Sequence, residues 1–229
     1  MISHPRKALS FAFSVIAALV LSACGGGSGS SISLDSGTTT LASCMTATTG
    51  KSFTYTSTDA SGNSTSYTHL VATGTYNGNT VTAETDTPAS GTYFTTYTSY
   101  TSSAFTQLAY TNSTGTISNV YSNRIVDLSK ASGASQTFTW TSTSTLDSSS
   151  FSAATTLKFD GVEAVTLAGA SYNACKVSTS GTYSDGGTFS NVAWYLPGYG
   201  AAVPVKGNYT TTRSGTVYTA SVLVTAFNN

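Results

Sequence analysis

Asn77-Gly78 stands between two runs that alternate in character, Thr65 to Tyr76 and Thr80 to Asp86. This dipeptide is the strongest short hairpin signal, because both residues reach the positive φ angles of a tight turn at little cost. An antiparallel pair of strands is therefore expected here, and the same signature recurs along the chain. Ser52-Phe53-Thr54-Tyr55-Thr56 alternates, and Ser61-Gly62-Asn63 turns. After the turn Pro88-Ala89-Ser90-Gly91, three more strands are predicted at Tyr93 to Thr101, Ala104 to Asn112 and Thr116 to Ile125, the last two separated by Ser113-Thr114-Gly115. Beyond a loop at 129–135, Thr137 to Thr141 and Phe151 to Phe159 alternate again. Val165 to Leu167, Tyr172 to Val177, Asn191 to Leu196 and Thr216 to Val224 complete the set. No segment after the N-terminal apolar stretch carries a convincing 3.6-residue repeat.

Composition points the same way. Only 8% of the 229 residues are charged, against roughly 25% in an average soluble domain. Thr, Ser, Tyr and Gly fill the difference, and Thr and Tyr suit a pleated surface while strong helix formers are scarce. About a dozen strands joined by tight turns predict an all-β fold, an antiparallel meander. A barrel, a strongly curved half-barrel or a sandwich would each protect its edges. Sequential hairpins favour a curved half-barrel or barrel over a Greek-key sandwich. Ser and Thr dominate one face of most strands, unlike the tall apolar band of an outer-membrane barrel.

The N-terminus has a different organisation. His4 to Lys7 is a short basic stretch, and Leu9 to Leu21 is apolar but short for a membrane-spanning helix. It ends in Leu21-Ser22-Ala23-Cys24, which resembles the lipobox of bacterial lipoproteins. The resemblance implies that the Cys24 thiol receives a diacylglyceryl group, that the signal is cut before it, and that the new amine is acylated. Acyl chains of that number suffice for stable anchoring. In Gram-negative lipoproteins an aspartate after the cysteine favours inner-membrane retention. Gly25 there implies the outer membrane, with the folded domain facing the periplasm.

Three regions follow: a signal peptide at 1–23, a lipidated cysteine and flexible Gly/Ser/Thr linker at 24–40, and a single all-β domain at 41–229. Arg6 and Lys7 fall in the signal, so the remainder has seven basic and nine acidic side chains. That balance offers no footprint for nucleic acid. Contact with the membrane is expected through the covalent lipid alone.

Cys44 and Cys175 remain after Cys24. In an oxidising compartment an even pair suggests a disulfide, and two buried free thiols are the alternative. A bridge would tie the start of the domain to a strand near its end.

Two later stretches carry a second resemblance. Asp160-Gly161-Val162-Glu163-Ala164-Val165-Thr166-Leu167-Ala168-Gly169-Ala170-Ser171-Tyr172-Asn173-Ala174-Cys175-Lys176-Val177 and Val192-Ala193-Trp194-Tyr195-Leu196-Pro197-Gly198-Tyr199-Gly200 resemble a class of uncharacterised bacterial envelope proteins. The resemblance implies a curved antiparallel sheet similar to the half-barrels of lipoprotein carriers. Leu167-Ala168-Gly169-Ala170 departs from that pattern, and Val205-Lys206 arrives late, which implies a bulge or longer loop. Pro197-Gly198 suits the centre of a type II turn. Trp194 and Tyr195 should point to opposite faces. They form a structural hairpin with an aromatic anchor or, with Tyr199, the rim of a ligand opening.

Little else suggests chemistry. His69 shares a strand face with Tyr67 and Val71 and is expected to be a structural or surface histidine. No His or Cys spacing supplies a metal site. No Gly-x-Ser-x-Gly elbow occurs. Glu84 and Asp86 lie on one strand face and are expected to be exposed on an edge. These features predict no catalysis and no cofactor. A binding module for an apolar or lipid-like ligand is expected, and the alternative is a structural or protein-interaction component of the envelope. The interior of the sheet, filled or open, separates the two.

Overall fold

The computed structural model describes residues 39–91, 93–111 and 116–228. The signal, Leu21-Ser22-Ala23-Cys24 and the linker as far as residue 38 lie outside the described residues, as does the Ser113-Thr114-Gly115 turn. A short 3-10 helix, Leu41–Ser43, comes first. The strands are β1 (Ser52–Asp59), β2 (Ser64–Tyr76), β3 (Asn79–Pro88), β4 (Phe94–Tyr100), β5 (Ala104–Thr111), β6 (Ile117–Ser122) and β7 (Ile125–Asp127). They continue as β8 (Ser135–Ser144), β9 (Ser150–Leu167), β10 (Ala170–Tyr183), β11 (Thr188–Tyr195), β12 (Lys206–Arg213) and β13 (Thr216–Asn228).

Strands adjacent in sequence pair antiparallel from β1 to β6 and from β8 to β13, β6 pairs with β8, and β1 pairs with β13. Both β6 and β7 lie along β5, so they act as one interrupted strand. The sheet therefore closes into an up-and-down barrel of twelve staves. Closure satisfies the edge groups that an open half-barrel would leave unpaired.

Three local features differ from the sequence expectation. Residues 151–159 and 165–167 belong to one strand, β9, which continues through a bulge beside Gly161 at φ 126°. A Cβ there would sit 2.8 Å from Ser132 Oγ, so glycine suits the position sterically as well. The expected Thr116 to Ile125 strand breaks at Asn123, which has φ 59°. β12 was not expected at all, because Asn208-Tyr209-Thr210-Thr211-Thr212 offers little apolar alternation.

The alternation sorts side chains between lumen and outside. Phe138 and Trp140 of β8 face Thr155 and Ala153 of β9 inside the barrel. Thr137 and Thr139 of β8, and Ala154, Thr156 and Lys158 of β9, are exposed outside.

Two segments fill one end of the barrel. Leu41, Cys44 and Met45 pack with Leu128, Phe159 and Val177. Leu196, Tyr199 and Val205, from the β11–β12 loop, pack with Phe53 and Val224. The two segments bond to each other: Thr48 N–H donates to Gly198 O at 2.8 Å and Gly200 N–H to Thr46 O at 2.8 Å. Cys44 is disulfide-bonded to Cys175 of β10, with Cα atoms 5.9 Å apart. Each large aliphatic side chain buried in this plug contributes about 1.5–3 kcal/mol relative to exposure.

Candidate ligand cavity inside the barrel

Beyond the plug the lumen is not filled. A cavity of about 340 Å³ lies inside it. Met45, Ala201 and Ala202 of the plug line one side. Phe105, Tyr121, Phe138, Trp140, Tyr195 and Tyr209 supply aromatic wall. Gln107, Thr179 and Asn191 add polar groups. A second cavity of about 300 Å³ reaches the β1–β2 turn at Asp59 to Asn63 and shares Tyr209 with the first. Both volumes lie at the lower end of the range of small-molecule pockets, roughly 300–1,000 Å³.

The expected ligand rim divides. Tyr195 lines the cavity, and burial pushes its phenol upward in pKa. Trp194 faces away. Its indole N–H donates to Glu163 Oε1 at 2.7 Å, and the ring lies against Lys206 at 4.7 Å and Lys176 at 5.5 Å. Tyr199 is 7% exposed and packs edge-on to Phe53 in the plug. Only Tyr195 of the three touches the open space.

Glu84 and Asp86 correct the expectation drawn from sequence, while His69 takes the structural role expected of it. No edge remains in the closed barrel, so the carboxylates are not exposed there. His69 and Glu84 are 0% exposed and Asp86 is 9% exposed. His69 Nδ1 lies 2.9 Å from Asp86 Oδ1, and Nε2 lies 3.1 Å from Tyr199 O. Glu84 Oε2 accepts from Ala202 N–H at 2.9 Å, and Oε1 accepts from Tyr100 O–H at 2.8 Å. The Tyr100 oxygen accepts in turn from Ala201 N–H at 2.8 Å. Tyr55 O–H donates to Asp86 Oδ1 at 3.2 Å.

The cluster thus pins the β11–β12 loop to β2 and β3. Burial pushes the Glu84 carboxyl above its ordinary range, against the pull of His69 and the donors from Ala202 and Tyr100. For His69, burial acts downward, but the Asp86 hydrogen bond and charge, with Glu84, outweigh it and raise the imidazole. These groups satisfy one another and do not line the cavity.

The sequence reading missed Arg124. It lies in the break between β6 and β7 and lines the cavity. Its guanidinium lies 4.4 Å from the Trp140 ring centroid and 4.9 Å from that of Tyr121. Among the described residues no carboxylate lies within 4.0 Å of it. A positive-φ asparagine inside an apparent strand was the available signal.

Closed antiparallel barrels with a packed end and a hollow remainder define the class to which this architecture belongs. A candidate lipoprotein from Parabacteroides distasonis is similar at TM-score 0.52 and 13% identity, covering 81% of this chain and 99% of that one. A candidate exported protein with a YmcC-like fold from Bacteroides fragilis is similar at TM-score 0.53 and 10% identity, with the same coverage. These likenesses concern the fold. No family model and no curated protein matches the chain.

Proposed function

We propose that the chain is an outer-membrane lipoprotein whose barrel is a non-catalytic receptor for a small apolar or lipid-like ligand. The cavity of about 340 Å³, walled by aromatic side chains, carries this reading. Both similar structures belong to proteins described as a candidate lipoprotein or exported protein, which supports an envelope location. The Leu21-Ser22-Ala23-Cys24 motif supports an anchor on Cys24, with the domain in the periplasm. The mutual satisfaction of His69, Glu84 and Asp86 supports a structural use of those groups over acid-base work.

Native mass spectrometry of the gently extracted protein is the test. A bound small molecule, lost on denaturation, is expected. A stable apo mass that does not shift with added fatty acids or alcohols would sink the receptor reading. Uptake of labelled fatty acid, present in the wild type and absent in Cys24→Ala, tests the anchor separately.

A further inference from the structure

The cavity holds a half-buried cation, Arg124, with no carboxylate within 4.0 Å among the described residues. Arg124 arrives there through a specific distortion of the sheet. In a regular strand with Tyr121 facing inward, residues 122 and 124 would both face outward. Ser122 is indeed exposed. Between the pairs Ala109–Val120 and Thr106–Ile125, however, β5 has two residues and the opposing segment has four. The extra length forms a bulge: Asn123 takes φ 59°, Ile125 N–H donates to Asn123 O at 2.9 Å, and Gln107 N–H donates to Arg124 O at 3.1 Å. The bulge reverses the alternation and turns Arg124 into the lumen, where Tyr121 and Val126 also face.

The surroundings of the guanidinium are aromatic. Trp140 and Tyr121 present ring faces to it, while Tyr183 and Tyr195 lie close enough to feel its charge. Ring faces offset part of the lost hydration but supply no full counter-charge. Arg213, which stacks on Tyr183 at 4.2 Å, differs: Asp185 lies 3.6 Å from it. A guanidinium presents five N–H donors in a planar fork suited to a carboxylate. One donor reaches the Tyr121 hydroxyl, and the others face an aromatic cavity in which a carboxylate would pair with them.

We propose that the ligand of this cavity is a small organic monoanion, a carboxylic acid with an apolar body, whose carboxylate pairs with Arg124. This rests on the receptor reading above and adds the charge of the ligand to it. The apolar body lies along Phe138, Trp140 and Tyr195, and the acid group meets the fork. A cavity of about 340 Å³ suits a single short acyl chain or an aromatic acid.

The test titrates the full chain, carrying Cys24→Ser so that no covalent acyl group competes, with decanoate and with decanol at neutral pH. Calorimetry and the tryptophan emission supply the readouts. Decanoate is expected to bind about tenfold tighter than decanol or better, as a charge-assisted hydrogen-bonded pair would give. Arg124→Gln should bring the two within about twofold of each other, and Arg124→Lys should restore part of the preference. Equal binding of both probes to the unsubstituted barrel would overturn the anionic assignment and leave the apolar receptor standing. Failure of both probes to bind folded protein would overturn both. A preference for decanoate that survives Arg124→Gln would also overturn the role of Arg124, which would then only support the fold.

Discussion

His69 Nδ1 and Asp86 Oδ1, 2.9 Å apart, share a proton inside the barrel. A neutral imidazole has one donor. Nε2 faces the carbonyl of Tyr199, which only accepts, so the donor is committed there. The contact with Asp86 then needs a second proton on the ring, which agrees with the raised imidazole. The plug is therefore held by a proton as well as by packing.

That proton makes stability depend on pH. The folded His69 is raised above its ordinary value of 6.5. Its contribution is fully present below that value and is lost as pH rises through the folded value. Glu84, raised above 4.5, acts with the same sign: its neutral form favours the folded state, and stability falls as pH climbs from 4.5 through its folded value. The melting temperature should decline as pH rises above 6.5, and His69→Gln should flatten that part of the profile. A melting temperature that rises there in the wild type would refute the shared proton.

Gly200 admits no side chain. Its φ is +85°, and a Cβ would stand 2.0 Å from Glu84 Oε2. Gly200→Ala should destabilise the protein by about 2–4 kcal/mol, combining backbone strain with displacement of a buried carboxylate. Urea denaturation reads this directly. In the double variant with Glu84→Ala the total loss should fall short of the sum, since both act on one contact.

The Cys44–Cys175 disulfide closes a sequence separation of 131 residues. Chain entropy gives about 5 kcal/mol as an upper figure for such a loop. Cys44→Ser with Cys175→Ser should lower the denaturation midpoint and loosen the plug before the rest of the barrel. Amide exchange should show this first at Leu41 to Thr48.

Trp194 and Tyr195, adjacent in sequence, should separate in their effects. Trp194→Phe loses the hydrogen bond to Glu163 and should cost about 1–2 kcal/mol, with ligand binding unchanged. Tyr195→Ala should enlarge the cavity and alter which ligand lengths bind. Parallel melting and binding measurements on both variants distinguish the two positions.

The strand content was legible because it follows from local alternation, as in Thr137 to Thr141. Closure was not, since nothing in Ser52 to Thr56 states that its partner is the last strand, at Leu223 to Asn228. The error on Glu84 and Asp86 has the same origin. Alternation groups side chains on one face but does not say whether that face meets water or a lumen. β12 stayed hidden because its inward residues are Gly207, Tyr209, Thr211 and Arg213, of which only Tyr209 looks like core. Arg124 escaped because a bulge breaks the very period from which side-chain direction is inferred.

The position of the plug gives the barrel a direction. Leu41 N–H donates to Lys130 O at 3.0 Å, so the described chain begins at the stoppered end. The cavity near the β1–β2 turn reaches the opposite end. A ligand of the proposed kind entering from that end would meet the β1–β2 and β12–β13 turns, where Asp59, Asn63 and Tyr218 stand. Substitutions there should alter exchange rates while leaving the equilibrium with ligand nearly intact.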